Sequence, residues 1–276
     1  MTSAQGALRR VYRASGIRRA HIVTIKTSLR LRSGRIRNDI GIVLYGDPSD
    51  DRAALLSRKG GALDRAAVRV WRHLATQLRP SVVIDVGANY GEVAFCTTYP
   101  NGARLHLVEA NPAVLPWLRR TIDGCRDRYP SVRLHAGAAS DRAGSARLHL
   151  TGHHSGTSSL ATEGERGVTV ETFRLDEHIE LDQNDTVLFK VDVEGHEQAV
   201  LDGMSGLLKG RPFAGLCEVQ NGDARFFDFL CGNFRVYLVQ GHSETEVDAR
   251  RLREAVAEGN ADGWSRYTKD VVLRPL

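Results

Sequence analysis

Residues 82–92 read VVIDVGANYGE, and they limit the architecture more than any other stretch of the chain. Val82, Val83, Ile84 and Val86 have the pattern of a buried strand carrying Asp85; the strand runs into Gly87, Asn89 and Gly91, and a helical pattern is expected over 90–99. Eighteen residues beyond Gly91 a second apolar run, LHLV, ends in Glu109. Strand, glycine turn, helix, strand and acid together make half of a nucleotide-binding α/β unit. A dinucleotide site needs G-x-G-x-x-G, so that backbone amides can approach a pyrophosphate. Here the order is D-x-G-x-x-x-G, with an acid at the turn. Asp85 would repel a pyrophosphate but suits a ligand bearing an ammonium and a sulfonium, which points to S-adenosylmethionine, with Glu109 accepting from ribose hydroxyls. Read alone, the segment is also compatible with an ordinary strand-to-helix turn.

The rest of the chain extends the alternation. Apolar runs predict strands at 82–86, 104–108, 132–136, 186–191, 213–219, 234–240 and 268–274. Helical periodicity predicts helices at 62–78, 90–99, 112–122, 195–208, 223–231 and 248–257. Strands and helices in turn imply a mostly parallel sheet covered on both faces. Residues 34–48 suggest a short strand or hairpin ended by Asp47-Pro48. The alternation breaks at 145–175, where two extended segments flank a polar loop rich in Gly, Ser and Thr; a lid-like role is expected near 150–168. The expected organisation is a basic arm and accessory segment over 1–60, followed by one domain over 61–276.

Charge is placed unevenly. The chain has 276 residues and a net charge of +5, yet residues 1–40 hold ten Lys and Arg against Asp39, a local +9. Such an arm suits an acidic partner, a membrane surface or nucleic acid, or is a solvated segment. Only Tyr12 offers it an aromatic surface, which disfavours single-stranded nucleic acid. No apolar run approaches the roughly 20 residues of a membrane span. No apolar signal core follows the basic start, and the four cysteines (Cys96, Cys125, Cys217 and Cys231) are dispersed without a C-x-x-C. A cytoplasmic protein is therefore expected.

A second constellation lies in 187–203, VLFKVDVEGHEQAVLDG. Strand periodicity puts Lys190, Asp192 and Glu194 on one face at the carboxyl end of a strand, where open α/β sheets bind ligands. Clustered acids there need a cation or a hydrogen-bond network. A third segment, FAGLCEVQN over 213–221, ends in Glu218, Gln220 and Asn221.

D-V-G-A-N-x-G, V-E-A-N-P, K-V-D-V-E-G-H-E-x-x-V-L-x-G and C-E-V, in this order over residues 80–220, resemble the FkbM family of S-adenosylmethionine-dependent O-methyltransferases. The resemblance implies a class I (Rossmann-like) methyltransferase fold, with a seven-stranded, mostly parallel sheet and an antiparallel last strand. It implies that Asp85, Gly87, Asn89 and Gly91 hold the methionyl end of the cofactor, that Glu109 holds the ribose with Asn111 nearby, and that Ala138 and Ala139 line the adenine. Asp192 would lie near the transferred methyl group, with Lys190 beside it. Asp192 and Glu218 match positions that hold magnesium in some related O-methyltransferases, so Mg2+ assistance is left open; the paired aspartates that those enzymes use after the fifth strand are missing here. In the polar loop, His154 is the first candidate for a general base, ahead of His153, with His196 a structural residue. The expected acceptor is a hydroxyl of a small molecule or oligosaccharide, a sugar above all, with a polyketide or other natural-product hydroxyl as the alternative. An RNA methyltransferase and a non-catalytic cofactor-fold module rank lower, since D-V-E-G stands where a base-reading N-P-P-Y would be. A homodimer is a natural use for residues 1–60.

Overall fold

The computed structural model describes residues 34–150, 154–160, 166–220, 222–241, 243–265 and 267–276. The basic arm before Gly34, His153 and Asn221 lie outside the described residues. Two short strands, β1 (Arg35–Arg37) and β2 (Val43–Tyr45), pair antiparallel. Helix α1 (Asp51–Arg58) follows, with the Asp50 side chain accepting from Arg52 N as its cap. Ile36, Leu44, Ala53 and Leu56 are buried in the same cluster as the main sheet, so residues 35–58 pack as part of the core.

Helix α2 (Arg65–Leu78) is capped by Asp64, which accepts from Ala66 N and Ala67 N, and turns Val70, Trp71 and Leu74 inward. Then come β3 (Val82–Val86), β4 (Arg104–Glu109), α3 (Leu115–Gly124) and β5 (Val132–Ala136). A three-stranded side sheet holds β6 (Ala138–Ala139), β7 (Gly144–Leu150) and β8 (Arg166–Phe173), the last two as an antiparallel pair. The chain re-enters the main sheet with β9 (Val187–Val191), α4 (Glu197–Gly203), α5 (Ser205–Leu208) and β10 (Phe213–Glu218). It ends with α6 (Ala224–Asn233), β11 (Arg235–Gln240), β12 (Ser243–Val247), α7 (Ala249–Asp262) and β13 (Asp270–Arg274).

The main sheet runs β12-β11-β13-β10-β9-β3-β4-β5. Strands β5, β4, β3, β9 and β10 are parallel, while β13 is antiparallel to both β10 and β11. Without β12 this is the class I methyltransferase order, with the last strand inserted antiparallel between the fifth and sixth. The sheet has eight strands rather than the expected seven, because a tight turn after β11 lets β12 return alongside it. Alternation divides the core: Val83, Leu105 and Leu188 face α2, α3 and the 35–58 segment, whereas Val82, Ile84 and Phe189 face α4 to α7.

The helix expected over 90–99 does not form; that stretch is a series of turns. Several of its carbonyls are taken by side chains, three of them from distant segments and one from Tyr99 within it. Asn38 Nδ2 donates to Phe95 O at 2.9 Å, Arg72 Nε to Cys96 O at 2.9 Å, Tyr99 Oη to Ala94 O at 2.8 Å and Tyr129 Oη to Thr97 O at 2.6 Å. With Phe95, Cys96 and Thr97 carbonyls satisfied by tertiary partners, the segment has no need of a regular intrahelical ladder. Residues 195–208 likewise form two short helices that break at Met204.

Candidate active site

The carboxyl ends of β3, β4 and β9 and the start of the side sheet surround an open cavity of about 760 Å3. Gly87, Asn89, Glu109, Ala138 and Asp192 all line it, so five residues read from four separate segments meet at one place. Gly87 has φ +79°, and a Cβ there would lie 2.0 Å from Asp192 O. The loops after β3 and β9 touch because this position has no side chain. Asn89 is also left-handed, at φ +48°. That conformation turns its N–H to Glu109 Oε2 at 2.8 Å, while Asn111 N donates to Glu109 Oε1 at 2.7 Å. Glu109 is 7 % exposed, and burial raises its carboxyl above the usual range against those two backbone donors. Its side chain is thus held rigidly at the cavity wall, each oxygen with a second lone pair for a ligand hydroxyl. Val108, Ala110, Ala138, Leu148 and Leu160 form an apolar side of the same cavity. A slot with a fixed carboxylate at one edge fits a nucleoside.

Behind this cavity lies a row of charges. Register places Asp85 opposite Lys190, Leu216 opposite Lys190, and Glu218 opposite Asp270. The four ionisable groups therefore share one sheet face at the strand ends. Lys190 Nζ lies 3.0 Å from Asp192 Oδ2 and 3.9 Å from Asp85 Oδ1. Burial works against the Lys190 ammonium, and Asp192, Asp85 and Asp270 outweigh it, so Lys190 stays protonated and acts as an internal counter-ion. Burial likewise works against ionised Asp192, but the ammoniums of Lys190 and Lys269 hold it well below the normal carboxylate range. Glu218 is pushed up to about 9 by burial and by the Asp192 charge, with Lys269 Nζ at 2.6 Å from Oε1. Asp270 is raised to about 7, chiefly by burial.

Asp192, Glu194 and Glu218 present oxygens within 4.8 Å of one another, a donor set of the type hard divalent cations take. Glu194 was expected on the strand face; it lies in the loop beyond β9 at φ +55° and converges on Asp192 through that turn. The fit to a resident dication is nevertheless poor. Lys190 and Lys269 already lie against Asp192 and Glu218, so a metal would compete with two ammoniums for the same oxygens.

The described part of the polar loop closes over the cavity. Asn89 Nδ2 donates to Ser155 Oγ at 3.1 Å, Asn111 Nδ2 to Ser158 Oγ at 3.1 Å, and Ser159 Oγ to Glu194 O at 2.7 Å. Asp50 pins it from the amino-terminal segment: Oδ1 accepts from Ser155 N at 3.1 Å and Oδ2 from Tyr90 Oη at 2.5 Å.

Asp85 is buried behind Gly87, where Oδ2 accepts from Ala94 N at 3.2 Å, so it faces the rear of the turn rather than the nucleoside slot. Gly91, at φ +85°, packs against the Phe95 ring. Asn111 braces the lid, and it lines an adjoining cavity together with His154, Ser155 and Ser158. His154 and Asp192 thus lie in the walls of different cavities. His196 lines the main cavity, with Nε2 at 3.0 Å from Ser140 Oγ; burial lowers its pKa. Three residues of the site were not singled out from the sequence: Arg52, Lys269 and Asp270. Arg52 stands in one segment and the adjacent Lys269 and Asp270 in another, neither with a motif, and only the fold brings them to the strand ends.

The family model for the methyltransferase FkbM domain matches residues 85–258. No curated protein sequence matches the chain. Among solved structures the fold is similar to that of methyltransferase FkbM from Methylobacillus flagellatus, at 12% identity, with 92% of this chain and 59% of that chain covered and a TM-score of 0.43. This chain therefore spans about three fifths of that protein's length. It is also similar to a methyltransferase from Geobacter sulfurreducens, at 13% identity, 95% and 98% coverage and a TM-score of 0.45. The O-methyltransferase TomG from Streptomyces achromogenes, solved in complex with SAM, is similar at 12% identity, 84% and 91% coverage and a TM-score of 0.45.

Proposed function

The chain belongs to the FkbM methyltransferase family, and from that premise we propose that it is an S-adenosylmethionine-dependent O-methyltransferase acting on a hydroxyl of a small acceptor, most naturally a sugar. The observation that carries this is the convergence of Gly87, Asn89, Glu109, Ala138 and Asp192 on one cavity at the strand ends. When bound, the cofactor supplies an activated methyl group on a sulfonium. The chain's own residues then have to position, and to expose one acceptor lone pair in line. Glu109 accepts from the ribose hydroxyls, and Ala110 and Ala138 bracket the base. Asp192, kept ionised by Lys190 and Lys269, accepts the acceptor's O–H hydrogen bond and so turns a lone pair towards the methyl group. As the acceptor oxygen takes the methyl group its O–H becomes strongly acidic, and the proton would pass to the Asp192 carboxylate. His154 stands ready at the adjoining cavity for an acceptor that extends under the lid.

A sugar is favoured because the lid presents Ser155 and Ser158 to the cavity, which suit a hydroxyl-rich ligand. No step is assigned to magnesium, since two ammoniums already face the carboxylates it would need. The test is transfer of labelled methyl from S-adenosylmethionine to a panel of glycosides, small alcohols and RNA. Label in glycosides, diminished at least about 100-fold in Asp192→Asn, is expected. Label confined to RNA, or equal turnover in the variant, would sink the proposal.

A further inference from the structure

Lys269 stands just ahead of β13, outside the matched residues 85–258. Its backbone is fixed there. Val219 N donates to Lys269 O at 2.9 Å, and the next residue, Asp270, pairs in register with Glu218. The antiparallel last strand thus delivers an ammonium to the carboxyl end of β10. Lys269 lines the cavity at the strand ends and also a second one, of about 730 Å3, that reaches Asp85 and Lys190; Asp192 lines both as well. The Lys269 side chain is 32 % exposed and that of Asp192 25 %, so a ligand can reach either.

An ammonium carries three donors and no acceptor, and Glu218 Oε1 takes one of the three at 2.6 Å. Donors are left for a ligand oxygen. The same atom stands against the carboxylate set of Asp192, Glu194 and Glu218, so a dication on Glu218 Oε1 would have to displace it. The ionised Asp192 carboxylate in the same walls only accepts. The site therefore offers a substrate one acceptor and one cationic donor. Two adjacent oxygens match that pair: one gives its O–H to Asp192, and its neighbour accepts from Lys269. Were both contacts on one hydroxyl, Lys269 would occupy a lone pair and work against attack on the methyl group.

We propose that Lys269 holds the place of a dication in the acceptor site, and that its ammonium binds the oxygen vicinal to the hydroxyl that Asp192 engages, so that the substrate is a vicinal diol. This rests on the O-methyltransferase reading above and adds to it a substrate class and the residue that selects it. In the transfer, a lone pair of the reacting oxygen forms the O–C bond, the C–S pair returns to sulfur, and the hydroxyl proton passes to Asp192. Lys269 keeps its protons throughout and fixes which of two neighbouring hydroxyls is presented.

The experiment has two arms, run on wild type, Lys269→Met and Lys269→Arg. In the first, methyl transfer is measured to methyl glycosides that carry a vicinal diol and to their mono-deoxy counterparts. A charge-assisted bond to the second oxygen predicts that wild type loses about 30-fold in kcat/KM on going to the deoxy acceptor. Lys269→Met should treat the two within about twofold, and Lys269→Arg should restore part of the discrimination. In the second arm Mn2+ is titrated calorimetrically without acceptor. Removing the ammonium should tighten Mn2+ binding at least about 10-fold in Lys269→Met, and Lys269→Arg should stay like wild type. Equal Mn2+ affinity in wild type and Lys269→Met, or a wild type indifferent to the second hydroxyl, would overturn the proposal. The wild-type comparison of diol with deoxy acceptor decides the diol contact even where Lys269→Met folds poorly. Wild type that methylates no glycoside would overturn the sugar reading and the diol contact with it, while the Mn2+ arm still decides whether Lys269 holds the cation's place.

Discussion

Gly87→Ala tests whether the loops after β3 and β9 really touch. Two costs add there. The residue sits at φ +79°, where a side chain costs about 1–2 kcal/mol. The new Cβ would also stand 2.0 Å from Asp192 O, and contacts under 3.0 Å do not occur, so one loop must retreat by at least 1.0 Å. Forced overpacking of this type costs about 1–3 kcal/mol. Together they amount to about 2–5 kcal/mol, and a chain of this size loses about 2–4 °C of Tm per kcal/mol. A fall of about 4–20 °C in thermal denaturation is expected. The displaced Asp192 would lower methyl-transfer turnover by about 100-fold, since an ångström of misplacement is enough for that. Gly102→Ala is the control: its φ is +85°, but nothing lies within 4 Å of the added Cβ, so only the backbone cost applies. If Gly87→Ala matches Gly102→Ala in Tm and keeps wild-type turnover, the close approach at Gly87 is refuted.

Other perturbations separate the remaining elements. Lys190→Met strands Asp85 and Asp192 beside each other and should cost about 3–5 kcal/mol in urea unfolding; a loss under about 1 kcal/mol would mean that Lys190 is no counter-ion. His106 and His135, with ring nitrogens 3.0 Å apart, are both lowered to about 4, chiefly by burial. Folded, they hold fewer protons than the unfolded chain between about pH 4 and 6.5, so their contribution is intact above pH 6.5 and lost as pH falls towards 4. Each is worth up to about 3 kcal/mol. A pH series of Tm should therefore show a fall over that window that flattens in His106→Gln/His135→Gln, and an unchanged slope would exclude the pair. Asp50→Ala removes the acceptor for Ser155 N, Tyr90 Oη and Arg52 N, and limited proteolysis should then cut residues 150–168 faster; wild-type cleavage rates would show that the lid is held elsewhere. Turnover should persist in EDTA, whereas activity restored only by added magnesium would show that a dication displaces the lysines.

The parts of the fold legible in the sequence are those with a short-range signature. The apolar runs of β3, β9 and β10 identify strands buried on both faces, and the D-x-G-x-x-x-G turn with Glu109 beyond it locates the cavity at the strand ends. A glycine forced to positive φ or an acid ending a strand is readable because its meaning depends on neighbours in the chain. The helix expected over 90–99 is instructive for the opposite reason. Its residues have helical spacing, but Asn38, Arg72 and Tyr129 take its carbonyls from afar. The extra strand β12 was missed because a polar edge strand buries no apolar face to announce itself.

What the sequence by itself determined is therefore the buried core strands, the glycine turn and the acids at the strand ends, all of them local in chain and chemistry. The tertiary structure decided which charges neighbour which. Lys190 faces Asp85 through β-register, Lys269 reaches Glu218 across 51 positions, and Arg52 arrives from a helix ahead of the matched domain. A single charged residue carries no record of its distant partner, and only packing at low dielectric turns such neighbours into a site.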